Sequence, residues 1–166
     1  YTWAAHVPDD ATEDDLNRIA TSLAERNIPL VAQWLPNDRQ RSLEQAFRIA
    51  RVQRRLNLPI VVNATACMHA FFNGDTKTAH IDAEGKPFFD NSFGKQHKMG
   101  CPFALDHRQP IIREQVTYFI DAYAKAKLPI DTIFTDWEID GPLEFNRAHQ
   151  ASLRCTRCRK HIPNIE

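Results

Sequence analysis

Asn27-Ile28-Pro29-Leu30, Asn57-Leu58-Pro59-Ile60 and Lys127-Leu128-Pro129-Ile130 are one junction written three times. Each follows a helical pattern and opens an apolar run. A polar residue closes the helix, proline cannot continue it, and the residues after the proline enter a strand. Pro29 and Pro59 stand 30 residues apart, the length of one strand-helix unit. Outward from these junctions the helices are legible by their apolar spacing. Leu16, Ile19, Ala20 and Leu23 form the first stripe, behind a Thr12 cap and the acidic first turn Glu13-Asp14-Asp15. Leu43, Ala46, Phe47 and Ala50 repeat it after Ser42, and Ile112, Val116, Phe119, Ile120 and Tyr123 repeat it again. Short apolar runs at residues 2–7, 30–35, 60–65 and 132–138 read as strands covered on both faces. A further helix is expected around 145–153.

The order β-α-β-α-β-loop-α-β defines an α/β fold built from parallel (β/α) units, and two architectures meet it: half of a (β/α)8 barrel, or an open doubly wound sheet. A dinucleotide-binding sheet would carry a Gly-rich first turn, and none follows Val7. Polar or aromatic residues sit instead at the strand ends, where barrel enzymes keep their chemistry: His6, Trp34, Asn63 and Asp136. The expected architecture is the N-terminal half of a (β/α)8 TIM barrel, about four βα units in a single domain over residues 1–166. Residues 66–108 form a long insertion within it. An isolated half barrel leaves strand edges unpaired, so the rest of the barrel is expected from further chain or another subunit.

Composition sets the outer bounds. Lys+Arg and Asp+Glu are both 21, so the net charge is zero and the basic footprint of a nucleic-acid or anionic-membrane partner is missing. No apolar run approaches the ~20 residues of a membrane span. Four cysteines in 166 residues are too few for a disulfide scaffold. An extracellular or periplasmic setting is favoured, with the compartment otherwise open.

The strand at 132–138 carries the chemistry. Residues two apart on a strand share a face, which groups Phe134, Asp136 and Glu138 and turns Trp137 the other way, into packing. The two carboxylates are then roughly 6.5–7 Å apart at Cα. Neighbouring carboxyls split their pKa values, leaving one protonated near neutrality, and glycosidic cleavage needs such a proton donor.

Asp131-Thr132-Ile133-Phe134-Thr135-Asp136-Trp137-Glu138 resembles the fourth-strand signature of the family 18 chitinases and their relatives. The resemblance covers these eight residues and implies Glu138 as general acid, with Asp136 orienting a substrate N-acetyl group. Phe134 stands where the family has its middle Asp, and Thr132 where it has Gly. The expected function is a glycoside hydrolase that cleaves an oligo- or polysaccharide by carboxylate acid/base catalysis, with no cofactor required. His6, Trp34, Asn63, His69 and Asp140 are the candidate substrate-binding residues. Two rival readings stand beside it: a carbohydrate-binding barrel that has lost its chemistry at Phe134, and a metal-dependent hydrolase using His6, His69 and the carboxylates.

The insertion carries Phe71, Phe72, Phe88, Phe89 and Phe93 with His69, His80, His97 and His107. The phenylalanines read as a satellite core more readily than as sugar platforms. Asp82-Ala83-Glu84-Gly85-Lys86-Pro87 reads as a turn within a β-hairpin. Beyond the carboxylate strand, Cys155-Thr156-Arg157-Cys158-Arg159-Lys160-His161 has the Cys-x2-Cys spacing of a zinc turn. Cys155, Cys158 and His161 are candidate ligands, with the fourth from Cys101, Cys67 or His107. Such a zinc would be a structural clip, and a disulfide or free thiols is the competing reading. Arg154, Arg157, Arg159 and Lys160 are expected to lower the thiol pKa values.

Overall fold

The three repeated junctions form one backbone motif. In a computed structural model, which describes residues 7, 8, 10–68, 74–91, 98–135, 147–162, 164 and 165, Asn27, Asn57 and Lys127 have φ of 55°, 54° and 55°. The N–H groups of Ile28, Leu58 and Leu128 bond the carbonyls of Leu23, Gln53 and Tyr123 at 3.0, 2.8 and 3.0 Å. Those of Asn27, Asn57 and Lys127 bond Ala24, Arg54 and Ala124. This paired pattern is the Schellman motif, which needs a left-handed residue and then releases the chain for Pro to redirect. Asn accepts that conformation readily, whereas Lys127 holds it against Cβ sterics worth about 1–2 kcal/mol. Its side chain is exposed. Lys127→Asn should therefore stabilise the protein by about 0.5–1 kcal/mol in urea titrations. A destabilised variant would mean that the lysine stem packs there.

The chain divides into two compact units, Tyr1–Met68 with Glu114–Asp136, and His69–Arg113 with Trp137–Glu166. The first contains helices α1 (Glu13–Ala24) and α2 (Arg39–Arg55) and strands β1 (Val31–Gln33) and β2 (Val61–Asn63), with the short α3 (Thr65–Met68) closing its first segment. It also holds the end of α4 (Leu105–Lys125) and strand β5 (Thr132–Phe134). Strands β3 (His80–Ile81) and β4 (Pro87–Phe88) and helices α5 (Arg147–Arg154) and α6 (Thr156–His161) belong to the second unit.

Strands β1, β2 and β5 form a parallel sheet whose spatial order follows chain order. Among the described residues no barrel closes. Register places Val31, Val61 and Thr132 in one row and Gln33, Asn63 and Phe134 in the next, both on one face. Ala32, Val62 and Ile133 take the other face. Leu30, Ala32, Trp34, Ile60, Val62 and Ala64 join Ala46, Ile49, Ala50, Phe119 and Tyr123 in one core. Buried polar groups tie helix to strand: the Ser42 hydroxyl donates to the Gln33 carbonyl and accepts the Leu35 N–H, each at 2.9 Å. Gln53 Nε2 donates to the Leu30 carbonyl at 2.7 Å. At the head of α1, Thr12 and Asp15 form a reciprocal capping box, and the Thr12 donors hold the Asp15 carboxyl below its ordinary pKa. Of the expected strand at 132–138, Thr132–Phe134 is strand β5, Thr135 follows it outside the strand, and residues 136–138 lie outside the described residues. Asp131, the first acid of the signature, accepts the Ile60 N–H at 2.8 Å and so stitches β5 to β2.

In the second unit β3 and β4 pair antiparallel, His80 opposite Phe88, around the expected turn, where Asp82 Oδ1 accepts the Lys86 N–H at 2.8 Å. Its apolar cluster is small. Among the described residues it holds four buried side chains, Cys101, Ala104, Cys155 and Cys158, against seventeen in the first unit. Three of the four are thiols. No described helix is long and apolar enough to cross a membrane.

Candidate metal centre

Cys155 is the N-cap of α6 and Cys158 lies in the helix's first turn. A spacing of three puts both sulfurs on one side of that turn, which is why Cys-x2-Cys recurs at metal sites. Cys101 arrives from the segment ahead of α4. Its N–H bonds the Thr78 carbonyl at 2.7 Å, and the residue before it must be glycine: a Cβ on Gly100 would lie 2.5 Å from that same carbonyl oxygen. His80 comes from β3, its ring stacked on Phe88 at 5.2 Å.

The four side chains converge. Cys101 Sγ lies 3.7 Å from both Cys155 Sγ and Cys158 Sγ, and Cys158 Sγ lies 3.9 Å from His80 Nδ1. All four ligand atoms fall within 4.8 Å of one another. A tetrahedral zinc with Zn–S of about 2.3 Å has S···S edges of about 3.8 Å. The observed edges therefore match a shared ion and are far beyond a disulfide bond of about 2.05 Å. All four cysteines of the chain are free. The three cluster thiols are 0% exposed and His80 is 2% exposed. The cluster could hold a metal ion, and four protein ligands would leave it no open position.

Charge follows the same geometry. Hydrogen bonding with Cys101 and then with Cys158 lowers the pKa of the Cys155 thiol. Cys101 is pushed up to about 11, chiefly because its proton is shared with Cys155, and Cys158 is pushed up by the same two neighbours. The thiols themselves cause these shifts, which corrects the expectation that the arginines would. Arg154 lies over the Phe88 ring at 4.2 Å, and Arg157 donates to the Ala79 carbonyl at 2.8 Å. With the Thr156 hydroxyl on the Ile81 carbonyl at 3.1 Å, they pin α6 to the hairpin that carries His80.

Of the ligands expected from sequence, Cys155, Cys158 and Cys101 meet here. His161 does not: it stacks on Phe103 at 4.6 Å, and His80 takes the fourth corner. Cys67 is buried in the first unit's core, where burial pushes its thiol up to about 11, and His107 is exposed on α4. His80 was visible in sequence only as one of four histidines in the insertion, with no fixed spacing to the cysteines.

Of the strand-end residues, His6, His69, Asp136, Glu138 and Asp140 lie outside the described residues. Asn63 ends β2, and its Oδ1 accepts the Thr65 N–H at 2.8 Å, opening α3. Trp34 offers no ring face to a ligand. It is 0% exposed, stacked on Phe119 at 5.1 Å and packed on Tyr123, whose phenol burial raises to about 12. This corrects its assignment to substrate binding. Trp34→Ala should cost about 3–5 kcal/mol of stability, as loss of a fully buried aromatic does. A variant as stable as the parent in urea would contradict the core role.

No family model, no curated protein and no solved structure matches the chain.

Proposed function

We propose that the second unit is a zinc module of Cys3His type, in which the ion is structural. One observation carries this reading: four buried ligand atoms from three separate chain segments converge with the edge lengths of a tetrahedral ion. Thiolate and imidazole donors are the set zinc favours, and a full protein shell suits a structural site rather than a catalytic one. Metal analysis of the purified protein should give one zinc per chain. Cys101→Ser and His80→Ala should lose it, while His161→Ala and Cys67→Ser keep it. A metal-free protein, or one whose zinc follows His161, would overturn the assignment.

A second reading concerns the whole chain, as part of a (β/α)8 barrel that hydrolyses glycosides through Glu138 and Asp136. It is favoured by the parallel sheet, whose three strands run in chain order and all end on the same edge, at Gln33, Asn63 and Phe134. That edge is where parallel α/β folds keep their chemistry, and Asp136 follows Phe134 by two residues. An oligo- or polysaccharide is the substrate class. On this reading the zinc takes no part in the reaction.

A further inference from the structure

His80 is the one ligand of the centre with a second polar end. Its Nδ1 faces Cys158, so Nε2, across the ring, points away from the sulfurs. A ligating imidazole needs its proton on that far nitrogen, because Nδ1 must offer a lone pair, and a partner for the far N–H fixes both tautomer and ring orientation.

A buried carboxylate lines the same cavity as His80. His80 pairs with Phe88 across the ladder, and Asp90 follows Phe88 by two residues in the chain. Asp90 is 6% exposed. An antiparallel bridge to Met99, with both N–H···O bonds at 2.9 Å, fixes its backbone two residues from the ligand Cys101. His80, Asp90, Gly100 and Ser152 border one cavity of about 10 Å³, room for about one water.

We propose that Asp90 is the positioning residue of the metal centre. Its carboxylate accepts a hydrogen bond from a single water in that cavity, and that water accepts the Nε2–H of His80. The imidazole is thereby held in the Nε2–H tautomer, with the Nδ1 lone pair on the metal, while Phe88 fixes the ring plane. Ser152 borders the same cavity and is equally buried, but a carboxylate makes the stronger, charge-assisted bond. The inference rests on the zinc reading.

The test uses zinc itself, titrated against a chromophoric chelator, on the full chain and its D90A, D90N and S152A variants. D90A should bind zinc about 10–100-fold more weakly, as loss of an outer partner of a ligating histidine does. D90N keeps an acceptor oxygen and should recover part of that loss, while S152A should stay within about two-fold of the parent. In zinc-loaded, 15N-histidine-labelled protein, the His80 Nε2–H should be slow to exchange in the parent and exchange-broadened in D90A. A change in stability alone would not produce that signature. If D90A does not fold with zinc, D90N decides. Parent-like affinity with an intact Nε2–H signal in both Asp90 variants would overturn the role of Asp90 and leave the zinc reading standing. A parent protein that takes up no zinc would overturn both.

Discussion

Stripping the metal with a strong chelator is expected to unfold the second unit and leave the first folded. The first has its own apolar core, with Trp34, Phe119 and Tyr123 at its centre. Among the described residues, the second unit's buried apolar cluster is Ala104 and three of the ligands, with Phe88 and Phe103 packed against it. Structural zinc in small modules contributes about 10–16 kcal/mol of apparent binding free energy at neutral pH, as much as the whole stability of a typical domain. Without the ion, three cysteines and an imidazole are left to share one buried site. Hydrogen exchange should read the difference directly. The amides of Met99, Cys101 and Arg159, all hydrogen-bonded in the folded unit, should lose protection, while those of β1 and β2 keep theirs.

The same ion should leave in acid before the first unit unfolds. The neighbouring thiols shift one another in the metal-free cluster, raising the pKa values of Cys101 and Cys158 and lowering that of Cys155. Zinc binds deprotonated thiols, so loading it displaces ligand protons and the apparent affinity should weaken steadily as pH falls. Affinity flat in pH, or protection that survives complete metal removal, would show that something other than the ion organises this unit.

What sequence made legible here is what local physics decides. The three Asn/Lys-x-Pro junctions were readable because a Schellman closure and a proline act within six residues of each other. The parallel sheet followed, since helices between apolar runs impose crossovers. The Cys155–Cys158 pair was readable for the same reason, as one turn of one helix sets its spacing. His80 was not: it meets Cys158 across 78 residues, a distance only the completed fold spans, and His161 sat nearer in sequence. Trp34 was misassigned for a different reason. Strand parity separates it from Gln33 and puts it in the row of Ala32 and Val62, which packs on helices. An aromatic one residue past a strand end can belong to either face, and here the odd-even count decides for the core.

Glu138→Gln is expected to lower glycoside cleavage by about 10²–10⁴-fold, the usual contribution of a positioned general acid. The prediction rests on strand parity too, this time in favour of a site. Phe134 shares its row with Gln33 and Asn63, the row away from the helical core. In sequence, Asp136 and Glu138 stand two and four residues beyond Phe134, the spacing by which the glycosidase reading groups them with it. A carboxyl that must donate a proton near neutrality needs a neighbouring charge to keep it protonated, and Asp136 and Asp140 are the two nearest acids in sequence, of which Asp136 is the one on the glycosidase signature. Asp136→Asn should therefore weaken activity at the alkaline end first, as Glu138 loses the negative neighbour that holds its proton. Aryl glycosides and oligosaccharides with and without N-acetyl groups would separate a substrate-assisted route from direct attack, because only the former requires the acetamido oxygen. Zinc content serves as the internal control: both variants should keep one ion per chain, so lost turnover cannot be laid to a collapsed second unit. Turnover unchanged in Glu138→Gln would sink the glycosidase reading, and sugar binding without turnover in the parent protein would make Phe134 the mark of a barrel that binds and does not cut.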